Sequence, residues 1–376
     1  MAVLIISLLA VCLVLLYLED RRARRERSEF AHVIYVNGIR GKSTVTRMID
    51  AGLRAGGWSV FCKTTGTVPM TIGVDGVERP LVRHGRANIN EQLRILHRAA
   101  QEGAKILVIE CMAVDPALQA VSQERMVRSD IGVITNVRLD HTAEMGPTLE
   151  EICDSLSNTI PDHGVLFTAD GTYFEQLKRN GQRRSCRVEL AVPDSGLPDF
   201  DFPENVALAL AVCQEVGVAR ETALEGILHY CPDPYVLSLF RLSEGAVFVN
   251  AMSVNDPQST QLNYHRLSGR PGLSGRRLVL LINNRPDRGY RTGHMVMVAQ
   301  GLRPEEIWLL GASQQAVRRR LERVLPGTPV HCYQSAAAVP LESRGEDTLI
   351  FAAGNLAGPG KDLMERVKQE GTADVL

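Results

Sequence analysis

Short apolar runs alternate with segments of helical spacing along most of the chain, and this alternation predicts the secondary structure. Runs typical of buried strands occupy residues 33–36, 58–62, 106–110, 131–136 and 165–167, and a second series occupies 246–250, 278–282, 306–310 and 348–352. Segments with helical spacing occupy residues 45–53, 88–102, 204–215 and 313–324. Strands that alternate with helices indicate βαβ units, so the sequence predicts an α/β fold with largely parallel sheets.

The two series of strands predict two domains. A loop rich in Pro, Asp and Gly at 194–203 precedes the helix at 204–215, and the second series begins near residue 246. We place the boundary near residue 240, which gives a phosphate-loop domain at 31–240 and a carboxy-terminal α/β domain at 241–376. A chain of 376 residues is long enough for two such domains with substantial cores.

The amino terminus has a different pattern. Residues 2–18 are apolar apart from Ser7, and the arginine-rich segment 19–27 follows at once. About 17 apolar residues are just enough to cross a thin hydrocarbon core as a helix. A cleaved signal peptide carries its positive charge before the apolar run, whereas here the arginines follow it. We therefore predict a transmembrane anchor at 1–19 and a basic linker at 20–30. The alternative is a helix packed in a soluble core.

The position of the arginines also predicts the orientation of the anchor. Positively charged residues that flank a membrane helix stay on the cytoplasmic side. We therefore expect a single-pass protein of the cell membrane, with both α/β domains in the cytoplasm.

Composition narrows the class of protein. The net charge is −1, so no nucleic-acid partner is predicted. The eight cysteines are scattered and form no Cys-x-x-Cys pair, and Cys62, Cys111, Cys153 and Cys213 lie within apolar patterns. This usage is typical of reduced thiols in a cytosolic body rather than of a disulfide framework.

Residues 37–44, Asn-Gly-Ile-Arg-Gly-Lys-Ser-Thr, lie between the first predicted strand and the first predicted helix. This is the layout of a phosphate-binding loop, in which backbone N–H groups point at phosphate oxygens. Lys42 would reach the β- and γ-phosphates of a nucleoside triphosphate, and the Ser43 hydroxyl would ligate Mg²⁺. Val36 stands where the longer Walker pattern has a glycine, so the loop is a shortened version. The alternative is a glycine turn followed by a chance Gly-Lys-Ser.

Two further residues follow predicted strands and should emerge at the same edge of the sheet as the phosphate loop. Glu110 ends the run at 106–110 and would hold Mg²⁺ directly or through water. His141 follows the run at 131–136 and stands beside Asp140, so it would be a metal ligand oriented by a carboxylate. The alternatives are an ordinary strand-end carboxylate and a polar surface histidine.

Two other segments suit the binding of anions. Residues 63–67 offer an ammonium group, hydroxyls and a flexible turn after a strand, although such residues are common in ordinary loops. The loop at 283–291 carries three arginines, and arginine pairs bidentately with carboxylates, so it suits an acidic substrate. The alternative there is a solvated basic loop. The candidate substrate residues are Lys63, Thr64, Thr65, Arg285, Arg288 and Arg291.

Taken together, these segments resemble the Mur-type ATP-dependent amide ligases, which include the folylpolyglutamate synthases. They resemble more closely the ATP-binding ligase subunits of poly-γ-glutamate synthase. The matching segments run in the family's order from residue 33 to about 360, and they are 38–44, 63–67, 110–114, 135–141, 203–207, 255–257 and 283–285. The amino-terminal anchor also fits, because this family is membrane-associated and lacks the UDP-sugar-binding domain of true Mur enzymes.

The resemblance implies a Mur-ligase-like phosphate-loop domain, a Rossmann-like carboxy-terminal domain and a reaction. ATP would phosphorylate the terminal carboxylate of a growing poly-γ-glutamate chain, and the amine of an incoming glutamate would attack the acyl phosphate to leave an amide. The implied partners are glutamate, the polymer, the membrane, a small multi-pass subunit and an anchored accessory subunit. A homo-oligomer is compatible with this class of ligase.

The resemblance also implies roles for individual residues. Lys42 would stabilise the transferring phosphate, and Ser43 and Glu110 would hold the first Mg²⁺. His141 would bind a second metal, and Asn205 matches a position that contacts adenine. The implied ATP-binding residues are Gly38, Arg40, Gly41, Lys42, Ser43, Thr44 and Asn205.

One feature departs from the pattern. Many Mur ligases carry a carbamylated lysine shortly after the metal-binding histidine, but this chain has no lysine between Lys105 and Lys178. The second metal site therefore lacks that ligand, or it is built from other groups.

Two other functions compete with this interpretation. One is a membrane-anchored phosphate-loop ATPase that powers export or assembly, and the other is a soluble-type ligase for folate or peptidoglycan precursors that carries an anchor. A transport ATPase should hydrolyse ATP without an amino acid. A ligase makes ADP and phosphate only when both a carboxylate donor and an amine acceptor are present.

Overall fold

The computed structural model of the chain describes residues 1–66, 68–83, 85, 87–197, 201–233, 237–254, 256–285 and 291–374. These residues divide into two compact units, Met1–Asp233 and Pro234–Leu376. Each unit contains one largely parallel sheet covered by helices, so the predicted α/β fold is confirmed.

Helix α1 spans Ala2–Arg27 and begins with the predicted anchor. It is long and apolar enough to cross a membrane, with a mean hydropathy of 2.7 over a window of 18 residues, and the side chains of residues 2–18 are exposed. The segment predicted as a basic linker at 20–30 is helical as far as Arg27, so it continues α1 without a break.

Ion pairs explain why the basic segment is helical instead of a loose linker. Arg27 donates a 2.7 Å hydrogen bond to Asp130, and Arg128 donates one of 2.5 Å to Asp20. Ala23 is buried, with 4% of its surface exposed. Arg27 and Asp20 therefore tie the end of α1 to the first unit.

The first unit is built on a sheet of eight described strands. They are β1 His32–Asn37, β2 Val60–Thr64, β3 Met70–Ile72, β4 Glu78–Pro80, β5 Ile106–Glu110, β6 Ile131–Ile134, β7 Val165–Thr168 and β8 Arg187–Leu190. The order across the sheet is β4-β3-β2-β5-β1-β6-β7-β8. The strands from β2 to β8 in this order are parallel, and β3 and β4 extend the sheet as an antiparallel hairpin.

Helices cover both faces of this sheet. They are α2 Lys42–Ala55, α3 Glu91–Gln101, α4 Pro116–Val121, α5 Thr142–Met145, α6 Leu149–Leu156, α7 Phe174–Gln182, α8 Pro203–Glu215 and α9 Arg220–Leu228. Successive strand residues point to opposite faces. In β1, Ile34 and Val36 join a core with α2, α8 and α9, whereas Val33 and Tyr35 join a core with α3. A strand buried on both faces reads as a continuous apolar run, which is the pattern seen in the sequence.

The second unit repeats this plan with seven described strands. They are β9 Ser238–Leu242, β10 Val247–Asn250, β11 Arg277–Asn284, β12 Glu306–Gly311, β13 Val330–Cys332, β14 Thr348–Gly354 and β15 Gly371–Asp374. The order is β13-β12-β11-β14-β10-β9-β15, parallel from β13 to β10 and antiparallel at β9 and β15. The helices are α10 Pro257–Ser268, α11 Arg291–Leu302, α12 Gln314–Val324 and α13 Pro359–Glu370.

One strand differs from its prediction in a way that affects the site. The run at 58–62 predicts a strand that ends before Lys63, but β2 includes both Lys63 and Thr64. Pairing with β5 begins only at Val60, which lies opposite Ile106. Lys63 is therefore a strand residue buried in the unit, and it does not belong to a surface loop.

Candidate active site

The phosphate loop lies where three strand ends meet. β1 is hydrogen-bonded to β5 on one side and to β6 on the other, with Val36 opposite Glu110 and Asn37 opposite Ile134. Because these strands are parallel, the residues that follow them emerge at one edge of the sheet. The structure thus brings together the phosphate loop, Glu110 and residues 135–141.

Two glycines allow the loop to turn tightly. Gly38 and Gly41 have φ angles of 122° and 79°, which side-chain-bearing residues rarely adopt. A Cβ on Gly38 would collide with Oγ1 of Thr135, and one on Gly41 would lie 2.8 Å from Oδ1 of Asn205. Glycine is therefore required both by the backbone conformation and by the close approach of neighbouring segments.

Lys42, the first residue of α2, folds back over the loop. Its Nζ donates hydrogen bonds to the carbonyl oxygens of Gly38 at 2.7 Å and Ile39 at 3.3 Å. Burial lowers the pKa of Lys42, and the negative charge of Glu110 opposes this shift. The ammonium group is therefore held within the curve of the loop, where a phosphate would be bound.

Ser43 and Glu110 place two oxygen atoms side by side. The Ser43 hydroxyl donates a 2.8 Å hydrogen bond to Oε2 of Glu110, and the backbone N–H of Thr65 donates one of 2.7 Å to the same oxygen. Hydroxyl and carboxylate oxygens are the ligands that Mg²⁺ prefers. A separation of 2.8 Å is close to that of adjacent ligands in an octahedron with bonds of about 2.1 Å, so this pair fits the implied cation.

Arg40 connects the loop to the segment after β6. Its guanidinium donates a 2.7 Å hydrogen bond to Asp140, whose side chain is completely buried. Its carbonyl oxygen accepts hydrogen bonds from the side chains of Thr135 at 2.6 Å and Asn136 at 3.0 Å. Both the side chain and the backbone carbonyl of Arg40 are thus hydrogen-bonded, and these contacts fix the shape of the loop.

His141 lies at the start of α5 with a left-handed backbone, at a φ of 53°. Its backbone N–H donates a 2.9 Å hydrogen bond to Oδ1 of Asp140, and its ring Nε2 lies 3.7 Å from Oδ2 of the same residue. Within the described part of the chain, no group of three His, Cys, Asp or Glu residues could hold a metal ion. A second metal at His141 therefore stays a prediction that requires other ligands.

Asn205, in the first turn of α8, faces the phosphate loop. Its Oδ1 lies close to Gly41, as described above, while its Nδ2 donates a 2.8 Å hydrogen bond to Asp201. Thr44, in the first turn of α2, is half-buried. The assignment of Asn205 to adenine stays a prediction.

The candidate substrate residues after β2 have different environments. Lys63 is fully buried and pairs with Glu91 at 2.9 Å, and burial lowers its pKa while Glu91 opposes the shift. Thr64 is also buried, and Thr65 contributes its N–H to Glu110. Lys63 is therefore held within the unit by its ion pair with Glu91, and the assignment of these residues to substrate stays a prediction.

The arginine loop of the second unit is described only in part. Arg285 is half-buried just after β11. Arg288, the side chain of Arg291 and Asn255 of the matching segment 255–257 lie outside the described residues. The role of this loop in binding an acidic substrate stays a prediction.

Sequence reasoning missed two acidic residues near the site. Glu91 begins α3 and neutralises Lys63, and nothing in its local pattern distinguishes it from an ordinary helix-start carboxylate. Asp233 is 6% exposed, and its Oδ2 lies 2.6 Å from the point where a Cβ on Gly66 would be. That same point is 3.2 Å from Oγ of Ser43, so Asp233 reaches the phosphate loop from far along the chain.

Comparison with known proteins matches each of the two units to a known protein family. Residues 36–195 match the Mur ligase middle domain, and residues 239–370 match the poly-gamma-glutamate synthase CapB C-terminal domain. The PGA synthase CapB of Bacillus subtilis (strain 168) is 35% identical over 384 residues, which cover 97% of this chain and 98% of that protein. The capsule biosynthesis protein CapB of Bacillus anthracis is 32% identical over 385 residues, which cover 97% and 83%.

Solved structures share the fold at low sequence identity. E. coli FolC in complex with ADP has a TM-score of 0.69 at 15% identity, with 93% of this chain and 92% of that chain covered. A bifunctional folylpolyglutamate synthase/dihydrofolate synthase with Mn, AMPPNP and L-glutamate bound has a TM-score of 0.67 at 15% identity, with 92% of each chain covered. MurF from Acinetobacter baumannii has a TM-score of 0.67 at 14% identity, with 93% and 80% covered.

These matches confirm the predicted resemblance and the predicted Mur-ligase-like fold. The chain is an ATP-dependent acid–amino-acid ligase. It belongs to the CapB family of poly-gamma-glutamate synthases.

Proposed function

We propose that this ligase adds glutamate to the end of a growing poly-γ-glutamate chain through an acyl phosphate, with ADP and phosphate as products. The observation that carries the proposal is the convergence of Lys42, Ser43 and Glu110 at one sheet edge, in a chain whose full-length relatives are named PGA synthase and capsule biosynthesis proteins. The ligase relatives favour this function over a transport ATPase.

In the first step, an oxygen of the terminal carboxylate attacks the γ-phosphorus of ATP. The new O–P bond forms as the bond to the bridging oxygen breaks, and ADP leaves. Such a transfer needs positioning and charge stabilisation rather than covalent help from the protein. The loop around Gly38 and Gly41 orients the phosphates, and the ammonium of Lys42 stabilises the charge on the transferred group. Arg40 keeps the loop in shape through Asp140.

Ser43 and Glu110 would hold Mg²⁺, which supplies charge neutralisation on the β- and γ-phosphates when bound. The hydrogen bond from Thr65 to Glu110 keeps the carboxylate aimed at Ser43. His141, beside Asp140, would serve a second cation together with groups supplied by the substrates.

In the second step, the amine nitrogen of the incoming glutamate attacks the acyl carbon. The C–N bond forms, phosphate leaves with the electrons of the C–O bond, and the amine loses a proton. A folylpolyglutamate synthase of the same fold has L-glutamate bound, which supports an amino-acid site in this architecture. We assign Arg285, Arg288 and Arg291 to the recognition of the glutamate carboxylates.

The cellular setting also belongs to the proposal. Helix α1 would anchor the chain in the cell membrane with both units in the cytoplasm, where ATP and glutamate are available. Membrane subunits of a poly-γ-glutamate synthase complex would then receive the polymer.

The test is ADP release from membranes that contain this chain and its partner subunits, with and without glutamate. The proposal expects strong dependence on glutamate together with an acid-stable γ-linked polymer. Release that is indifferent to glutamate, with no polymer formed, would establish the transport ATPase instead.

A further inference from the structure

A cavity of about 310 Å³ opens beside helix α3 in the first unit. Its lining includes Leu81, Arg83, Arg94, Ile95 and Arg98. This volume lies at the lower end of the range of about 300–1,000 Å³ that is typical of small-ligand sites. A lining of guanidinium groups and apolar side chains suits a ligand that carries carboxylates on an aliphatic chain.

The first arginine of the cavity is fixed but keeps free donors. Arg83 donates hydrogen bonds from Nε and Nη2 to the two carboxylate oxygens of Glu91, at 2.6 and 2.9 Å. A guanidinium group has five N–H donors. Nη1 of Arg83 makes no hydrogen bond within the described part of the chain, so this group is pre-positioned for a further acceptor.

The other two arginines lie one turn apart on α3. Arg98 is held by Glu102 at 2.9 Å and by the ring of Phe61, whose centroid lies 5.4 Å from the guanidinium carbon. Its Nη2 has no hydrogen-bond partner among the residues that the structure describes. Arg94 is exposed, and its side chain makes neither a hydrogen bond nor an ion pair with any described residue. Both arginines therefore offer unused donors to the cavity.

The cavity adjoins the phosphate-loop edge of the sheet. Glu91, which holds Arg83, also pairs with Lys63 of β2 at 2.9 Å. The next residue, Gln92, donates a 3.4 Å hydrogen bond to the carbonyl oxygen of Glu110. Helix α3 thus begins next to the proposed reaction site, and its arginines lead away from that site.

We propose that this cavity binds the free carboxylates of the polymer residues that precede the reacting end. The inference rests on the proposed function, since a γ-linked chain leaves one carboxylate on each residue. Its extended repeat is roughly 6 Å, because it adds two carbon atoms to the ~3.8 Å repeat of an ordinary peptide. Arg94 and Arg98 are four residues apart on the helix, an axial rise of about 6 Å, so successive carboxylates match successive arginines.

The experiment measures polymer binding and chain elongation with the full-length protein in detergent. A fluorescent oligo-γ-glutamate reports binding, and elongation is compared for that oligomer and for γ-glutamylglutamate, which is too short to reach along α3. For the double variant R94Q/R98Q, we expect about tenfold weaker binding of the oligomer. The KM for the oligomer should also rise about tenfold relative to the KM for γ-glutamylglutamate.

A matched control removes the same charge elsewhere. Arg319 and Arg323 are exposed and also lie one turn apart, on helix α12 of the second unit. The variant R319Q/R323Q should bind the oligomer like the wild type. The single variant R94Q changes a side chain that makes no hydrogen bond or ion pair with a described residue, so it tests the cavity even if loss of Arg98 weakens folding.

The outcomes separate the cavity from the proposed function. If the wild type elongates both substrates and R94Q/R98Q binds the oligomer unchanged, the cavity is not a polymer site and the proposed function stands. If oligomer binding depends on Arg94 and Arg98 but ADP release does not depend on glutamate, the cavity is supported as a polymer site and the proposed function fails.

Discussion

Arg40 of the phosphate loop pairs at 2.7 Å with Asp140, a carboxylate that is completely buried. The pair joins two segments that follow neighbouring strands, β1 and β6. Because Asp140 also accepts the N–H of His141, one carboxylate positions both the phosphate loop and the candidate metal-binding histidine. The shape of the candidate nucleotide site therefore depends on an acidic residue that need not contact the nucleotide.

The first prediction concerns removal of this carboxylate. In Asp140→Ala, the guanidinium of Arg40 loses its ion pair with a completely buried carboxylate, and breaking such a pair costs about 3 kcal/mol. We expect the free energy of unfolding to fall by about that amount in urea titrations, and the KM for ATP to rise.

A surface ion pair provides the control for this variant. Asp162, whose side chain is 57% exposed, pairs with Arg184 at 3.2 Å. Asp162→Ala should change stability by less than about 1 kcal/mol, because exposed ion pairs contribute little. Equal effects of the two substitutions would show that the buried pair does not organise the loop.

The second prediction separates two effects of replacing a glycine, namely backbone strain and the collision of the new Cβ with a neighbouring side chain. Gly41 and Gly57 have nearly the same φ angles, 79° and 81°, but a Cβ on Gly41 would meet Asn205 at 2.8 Å whereas one on Gly57 would meet nothing within 4 Å. Both Gly→Ala substitutions cost about 1 kcal/mol of strain. Only Gly41→Ala should raise the Kd for ATP, by about tenfold, in nucleotide-binding titrations. A similar loss in Gly57→Ala would mean that stability alone controls binding.

The sequence predicts the phosphate loop and the residues that share its sheet edge, because the loop is one local unit and the strands are parallel. Residues 37–44 form one contiguous strand-loop-helix unit, and parallel strands place Glu110 and residues 135–141 at the same edge. The alternation of apolar runs and helices likewise gives the fold class directly.

Long-range pairing could not be predicted in this way. The sequence treats Lys63 as a loop residue, but the docking of α3 on β2 supplies Glu91 as its partner and allows its burial. The same reason explains why the segment predicted as a basic linker is helical as far as Arg27, because Arg27 pairs with Asp130 and Asp20 pairs with Arg128. In both cases a charged side chain finds its partner far along the chain.

The third prediction concerns the pH dependence that Glu91 confers. Burial would raise the pKa of Glu91, but Arg83 and Lys63 hold it below its ordinary value of 4.5. A carboxylate with a lowered pKa contributes stability that is present above pH 4.5 and is lost as pH falls through the folded-state pKa. In Glu91→Gln, stability should fall less as the pH is lowered. Unfolding midpoints measured at a series of acidic pH values would show this.

Near neutral pH the same variant should be less stable. Lys63 would remain buried without its counter-charge, which costs about 3 kcal/mol. Glu322→Gln on α12 is the control, because Glu322 is 46% exposed and pairs with Arg318 on the surface. A neutral-pH midpoint of Glu91→Gln equal to that of Glu322→Gln would contradict the role of Glu91 as the partner of a buried lysine.

The fourth prediction tests helix α1 as an anchor. Deletion of residues 2–18 removes the apolar part but keeps the segment from Asp20 to Arg27 that docks on the first unit. We expect the truncated protein to move from the carbonate-washed membrane fraction to the soluble fraction. The full-length variant Arg128→Gln, which loses one docking ion pair, should stay in the membrane fraction. Retention of the truncated protein in washed membranes would show that another surface or subunit holds it there.

The fifth prediction is that Lys42→Ala abolishes ligation without unfolding the protein. The Lys42 ammonium lies within 2.7 Å of the Gly38 carbonyl, so it is placed to stabilise a transferring phosphate, and loss of such a group lowers rates by about a thousandfold. Burial lowers the pKa of Lys42, which means that the charged form is disfavoured in the folded protein. The unfolding midpoint of Lys42→Ala should therefore equal or exceed that of the wild type, while glutamate-dependent ADP release disappears. Lys105→Ala, which truncates an exposed lysine in the same unit, should release ADP at the wild-type rate. An active Lys42→Ala protein would remove the phosphate loop from the mechanism.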